Sequence, residues 1–134
     1  MSGNLRLEVV TPEGKVFSSN VSELQFPTAH RGYYGVLPGH TPVVAPLGDG
    51  LVNCVLEGKK KMLTVFGGFA EIGPGHVTIL AKESQTADSL DRAAITEQLQ
   101  AAENAIKDAK EPEDIQKCQA RIDACKIKLQ ALNS

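Results

Sequence analysis

The feature that most limits what this chain can fold into is the point at which its glycines and prolines stop. All 12 Gly, six of the seven Pro, all six Phe and Tyr and all three His lie within the first 76 of 134 residues. After Lys82 there is no Gly, and the one remaining Pro is Pro112. Glycine and proline punctuate short strands and turns, whereas their absence permits long uninterrupted helices. The chain therefore divides near residue 84 into two parts with different grammar, one over 1–84 and one over 85–134. Charge differs too: Lys and Arg against Asp and Glu count seven and seven before that boundary, and seven and nine after it.

The first part predicts many short strands. Leu5-Arg6-Leu7-Glu8-Val9-Val10 opens with the period-two alternation of a half-buried strand. Further strands are expected at Lys15–Ser19, Val21–Pro27 (where Val21 breaks the alternation), Thr41–Pro46, Leu51–Leu56, Lys60–Phe66, Gly68–Ile72 and His76–Ala81. Pro12–Gly14, Glu57-Gly58-Lys59 and Gly73-Pro74-Gly75 mark turns between them. Short strands at regular spacing point to an all-β sandwich rather than a βαβ sheet.

The second part predicts two helices. Ile95, Leu99, Ala102, Ile106 and Ala109 recur at spacings of three and four, as do Ile115, Cys118, Ile122, Cys125, Leu129 and Leu132. Asp88 or Ser89 is the expected cap of the first helix, and Pro112 suits the first turn of the second. The short break at Lys110-Glu111-Pro112 lets the helices fold back as an antiparallel hairpin. The fold class is α+β in two parts, a β-sandwich followed by a two-helix hairpin. The helical stripes are thin and rich in Ala, and at about 25 cal/mol per Å² such a hairpin is only marginally stable alone. It must lean on the sandwich or extend along a partner.

A net charge of −2 offers no general field for nucleic acid or anionic lipid. No run approaches the roughly 18 apolar residues of a membrane span, and MSGNLRLEVV has no basic n-region followed by an apolar h-region. A soluble chain without a secretory signal is expected. Cys54, Cys118 and Cys125 are odd in number and widely spaced, which argues against a disulfide framework or a zinc site. His30, His40 and His76 share no ligand spacing, so no metal and no cofactor are expected. Nucleophile-elbow and paired-acid patterns are absent, and Gly67-Gly68 lacks the basic and hydroxyl residues of a phosphate loop. Its expected use is a turn or bulge where chains approach closely.

The most specific stretch is Gly32-Tyr33-Tyr34-Gly35-Val36-Leu37-Pro38-Gly39-His40-Thr41-Pro42-Val43-Val44. It resembles the G-x-x-G-I/V-L/Y-P-G-H-A/T-P stretch of epsilon subunits of F-type ATP synthases. The resemblance runs on through Leu47, Gly50, Phe66-Gly67-Gly68-Phe69-Ala70-Glu71-Ile72 and Val77-Thr78-Ile79-Leu80-Ala81, over essentially the whole chain. It implies a non-catalytic central-stalk rotor subunit that couples proton-driven rotation to ATP synthesis. The implied partners are the gamma subunit, the membrane ring of c subunits and the alpha/beta catalytic hexamer. The implied place is the cytoplasmic face of a bacterial inner membrane or the stromal face of a thylakoid.

By the same resemblance the Ala29–Tyr34 loop, with His30, Arg31, Tyr33 and Tyr34, faces the ring. Many relatives carry acidic residues where this chain has Tyr33 and Tyr34, which implies contact through aromatic surface and phenol hydroxyls. Gly35, Pro38, Gly39, His40 and Pro42 form a stiff structural loop, with His40 a hydrogen-bonding residue. Lys117, Arg121 and Lys128 fall on a similar side of the second helix and are the implied contacts through which an extended tail inhibits hydrolysis. Some relatives bind ATP through I/L-D-x-x-R-A. Here Ala87-Asp88-Ser89-Leu90-Asp91-Arg92-Ala93 fits that motif in neither register, and a one-residue shift turns a helical side chain by about 100°. The nucleotide candidates are Asp88, Arg92 and Arg121. The alternative from a different class is a free-standing small-molecule or nucleotide-binding sandwich protein.

Overall fold

Period-two alternation sorts the strands into inward and outward faces. In β1 (Leu5–Thr11) Leu5, Leu7 and Val9 are buried while Arg6 faces solvent. The computed structural model describes residues 5–30, 32–36 and 42–133. Within them, ten strands form two five-stranded sheets.

The first sheet runs in the order β2 (Gly14–Val21), β1, β9 (His76–Leu80), β8 (Phe69–Gly73) and β5 (Val43–Pro46). Its β1–β9 pair is parallel, joining the start of the sandwich to its end, and its other pairs are antiparallel. The second sheet is antiparallel, in the order β10 (Glu83–Thr86), β7 (Lys59–Phe66), β6 (Gly50–Leu56), β3 (Glu23–Thr28) and β4 (Gly32–Val36). The inward faces meet in one core. Leu7, Val9, Ile72, Val77 and Ile79 from the first sheet pack with Leu24, Phe26, Val52, Leu63 and Val65 from the second.

The break at Val21 has a simple cause. Val21 closes β2 and is buried, Ser22 is a bend, and the alternation restarts in β3 with Leu24 and Phe26 inward. Two strands differ from expectation. Gly32–Val36, expected as a loop, is β4, paired residue for residue with β3 from Leu24↔Val36 to Thr28↔Gly32. Glu83–Thr86 is β10, a polar strand with no alternation to announce it. It is held by pairing with β7, where the buried Thr64 hydroxyl accepts the Gln85 N–H at 3.1 Å. The second sheet thus extends to Thr86, past the boundary expected at residue 84.

Turn chemistry follows the sequence. Leu56 pairs with Lys59 across Glu57-Gly58, both with positive φ, the two-residue turn whose twist matches a hairpin. Gly67-Gly68 joins β7 to β8 where chains nearly touch. Gly68 has φ +104°, and a Cβ there would lie 1.8 Å from the Leu80 carbonyl oxygen. Its own carbonyl accepts the Leu47 N–H at 2.9 Å.

Contacts divide the chain into two compact units, Met1–Ala87 and Asp88–Ser134. In the second unit α1 (Arg92–Asp108) and α2 (Pro112–Leu132) pack together. They are antiparallel, since Arg92 at the start of α1 reaches the Leu132 carbonyl at the end of α2. Ile95 and Ala102 of α1 and Cys118, Ile122, Cys125 and Ala131 of α2 are buried. Ile115 stays 40% exposed, so the seam starts one turn later than the apolar stripe. Pro112 occupies the first turn of α2 as expected. The cap of α1 is Asp91 rather than Asp88 or Ser89. Those two lie in a 3₁₀ turn, Ala87–Ser89, whereas the extended backbone of Asp91 lets its carboxylate accept the Ala94 N–H at 3.2 Å.

Gly68→Ala is therefore expected to destabilise the sandwich by about 3 kcal/mol or more, from positive-φ strain and the collision with Leu80. Denaturant unfolding of the full chain measures it, and an unchanged midpoint would contradict the close approach.

Candidate functional site

Sheet register places an apolar row on the outer face of the first sheet. Val10 pairs with Leu80, Leu80 with Phe69 and Phe69 with Pro46, so the four side chains line up across β1, β9, β8 and β5 on the face opposite the core. Leu80 is 48% exposed, Phe69 55%, and Val44, on the same face of β5, 61%. The neighbouring outward positions Glu8, Thr78 and Glu71 are polar. Beyond them Lys15 Nζ donates to Glu8 Oε2 at 3.1 Å, the Ser18 hydroxyl donates to the same oxygen at 3.1 Å, and Arg6 donates to Ser18. The hydrogen bond from Lys15, then that from Ser18, holds the Glu8 carboxyl below its usual range. The outer face is thus half charged network and half exposed apolar surface, and clustered exposed apolar side chains mark interaction sites.

Of the residues expected to face the ring, His30, Tyr33 and Tyr34 lie along the hairpin of β3 and β4. His30 is exposed in the turn between β3 and β4. Tyr33 and Tyr34 lie within β4 rather than in a loop, because Tyr-Tyr-Gly-Val pairs readily along β3. Tyr34 is half-buried, its ring centroid 6.0 Å from that of Phe26. Tyr33 exposes 48% of its surface, yet its hydroxyl accepts the Leu51 N–H at 3.0 Å. Pro27, opposite Tyr33 on the intervening β3, has no N–H, and its carbonyl accepts from Gly48 at 3.1 Å. The phenol therefore reaches over Pro27 to β6, with room made by Gly50, where a Cβ would meet the Tyr33 oxygen at 2.8 Å. The Tyr33 hydroxyl thus makes an internal contact while about half of the residue's surface stays exposed. His30 and Tyr34 also line a cleft of about 290 Å³ with Thr28, Val43, Ala45 and Ile72. Gly35 sits in β4 opposite Gln25, and Pro42 is exposed just before β5. Arg31, Pro38, Gly39 and His40 lie outside the described residues.

In the tail, Lys117 and Arg121 are exposed on α2 and Lys128 is half-buried. The nucleotide candidates do not converge. Asp88 is in the 3₁₀ turn, Arg92 points to Leu132, and Arg121 is eleven residues before Leu132, about 16 Å along the helix axis. Among the described residues no group of three or more His, Cys, Asp and Glu could hold a metal ion. The Cys54 thiol is pushed up to about 11 by burial, against the lowering influence of Lys61.

Residues 4–87 match the family described as ATP synthase, Delta/Epsilon chain, beta-sandwich domain. The ATP synthase epsilon chain of Bacillus subtilis (strain 168) is 37% identical over 111 residues, 83% of this chain and 83% of that one. The chain belongs to the ATP synthase epsilon-chain family. Another epsilon chain, from Afipia carboxidovorans, is 33% identical over 127 residues, 95% of this chain and 93% of its own length. The fold recurs in the cryo-EM structure of the Euglena gracilis mitochondrial ATP synthase (OSCP/F1/c-ring), with a TM-score of 0.81 at 24% identity, covering 98% of this chain and 83% of that one. It recurs again in the central stalk and c-ring structure of the Tetrahymena thermophila mitochondrial ATP synthase, with a TM-score of 0.63 at 12% identity and 98% coverage of both chains.

As an epsilon chain the protein is of the type that serves as a subunit of the synthase, and among its described residues no helix is long and apolar enough to cross a membrane. Its outward apolar row is the feature that residue-by-residue reasoning missed. The signal was present within β8, where Phe69 shares a face with Glu71 rather than with Ile72. Tyr33→Phe is expected to lower stability by about 1–2 kcal/mol, because the Leu51 N–H loses its acceptor. Thermal unfolding checks this, and an unchanged midpoint would mean that the phenol is dispensable to β6.

Proposed function

We propose that this epsilon chain is a non-catalytic rotor subunit of the central stalk, coupling proton-driven rotation to ATP synthesis and restraining ATP hydrolysis through its helical tail. The observation that carries the proposal is the apolar row Val10, Leu80, Phe69 and Pro46 on the outside of an otherwise complete sandwich. The core is satisfied without it, so these side chains gain burial only against something outside the sandwich. The gamma subunit is the proposed cover. The end bearing His30 and its cleft is the proposed contact with the polar loops of the c ring.

The tail suits a two-state element. Its seam is narrow and built largely from Ala and Cys, so hairpin and extended forms differ by a modest energy. Extended toward the alpha/beta hexamer, the exposed Lys117 and Arg121, with Lys128, would meet acidic segments there and block rotation in the hydrolysis direction. The complex works at a membrane, with this subunit on the cytoplasmic face of a bacterial inner membrane or the stromal face of a thylakoid.

Two variants reconstituted into synthase stripped of this subunit test the proposal. A chain lacking residues 88–134 is expected to assemble in normal proportion while hydrolysis rises. Phe69→Glu with Leu80→Glu is expected to weaken retention on washed complexes by about tenfold or more. Unchanged hydrolysis in the first would remove the brake from the account, and full retention of the second would remove the docking face.

A further inference from the structure

We infer that Arg92 is a clasp that holds the tail hairpin shut. Arg92 is the first residue of α1, yet its Nη2 donates to the Leu132 carbonyl at the far end of α2, 3.3 Å away. This contact closes the open end of the hairpin, opposite the short Ala109–Glu111 link.

Helix electrostatics make the placement informative. A helix presents partial positive charge at its N-terminus and partial negative charge at its C-terminus. A cation at the first position of α1 is therefore misplaced with respect to its own helix, whose first turn holds no acidic residue and whose cap is the adjacent Asp91. At the same time the last turn of α2 contains no basic residue of its own. Its terminal carbonyls are served by the Asn133 N–H, which bonds to Leu129 and Gln130, and by Arg92, which bonds to Leu132. Arg92 thus supplies from one helix a cation to the last turn of the other, which holds no basic residue. When the hairpin opens, Arg92 leaves the negative end of α2 and is left beside the positive end of α1. The misplacement at α1 is common to both states, and closure alone sets the negative end of α2 against it. Behind Arg92, Ile95 and Ala131 are the buried residues of the first turn of α1 and the last turn of α2, with Leu129 and Leu132 half-buried beside them.

The clasp bears on regulation only through the tail opening proposed above, and the two can be tested separately. Hydrogen exchange is followed in the full-length chain for amides of the last two turns of α2, with the amides of β1 and β7 as internal standards. In Arg92→Gln, which keeps much of the stem but loses the charge, exchange at the end of α2 is expected to rise about two- to five-fold while the strand amides stay unchanged. Arg92→Lys, which retains the cation, is expected to restore most of the protection. Unchanged exchange in Arg92→Gln, or a rise in Arg92→Lys as large as in Arg92→Gln, overturns the clasp. In reassembled synthase the looser tail of Arg92→Gln is expected to lower hydrolysis. Faster exchange without any change in hydrolysis would uphold the clasp and overturn the brake.

Discussion

Leu7, Val9, Val77 and Ile79 from one sheet meet Leu24, Phe26, Leu63 and Val65 from the other, and every other feature of the head depends on the burial of these inward faces. Full burial of each such side chain is worth about 1.5–3 kcal/mol against exposure. Strict alternation then leaves the outward positions with no part in the core. Phe69 and Leu80 are neighbours of Ala70 and Ile79 in sequence, but they stand on the other side of the sheet. A surface for association can therefore be carried by the same strands that build the core, without weakening it.

The tail is governed by the opposite balance. Among the described residues its seam has two buried residues on α1 and four on α2, most of them small. Burial of this size leaves the hairpin sensitive to terms that are minor in the head, such as one cap, one proline at a helix start and one arginine across the open end. Asp91 and Arg92 are adjacent, yet they act on different helices: Asp91 on the N-terminus of α1, Arg92 on the C-terminus of α2. In the function proposed above, a densely packed head and a lightly held tail suit a subunit that stays attached while part of it changes shape.

Much of this architecture was legible in the sequence where one residue type dictated one geometry. Alternation located β1 and β3, short runs between turn signals such as Glu57-Gly58 and Pro74-Gly75 located β6 to β9, and the three-four spacing with Pro112 located both helices. The strands that escaped are those whose pairing is decided by neighbours. β10 is polar and depends on Thr64 and the β7 backbone, and β4 consists of two tyrosines between glycines that read equally well as a loop. Register explains the remaining differences. Pro27 removes a donor from β3, and the Tyr33 hydroxyl reaches across it to the Leu51 N–H. The outward row emerges only when four strands are aligned, and the Arg92 contact only when α2 folds back over α1.

The central claim is that this chain turns with the stalk. A fluorescent probe on Glu13→Cys, in the exposed turn between β1 and β2, reports on it directly, since the native cysteines are buried. With the catalytic hexamer fixed to a surface and ATP supplied, the account predicts that the emission dipole of the probe rotates in step with the central shaft. A probe that stays fixed with the hexamer while the shaft turns would contradict it.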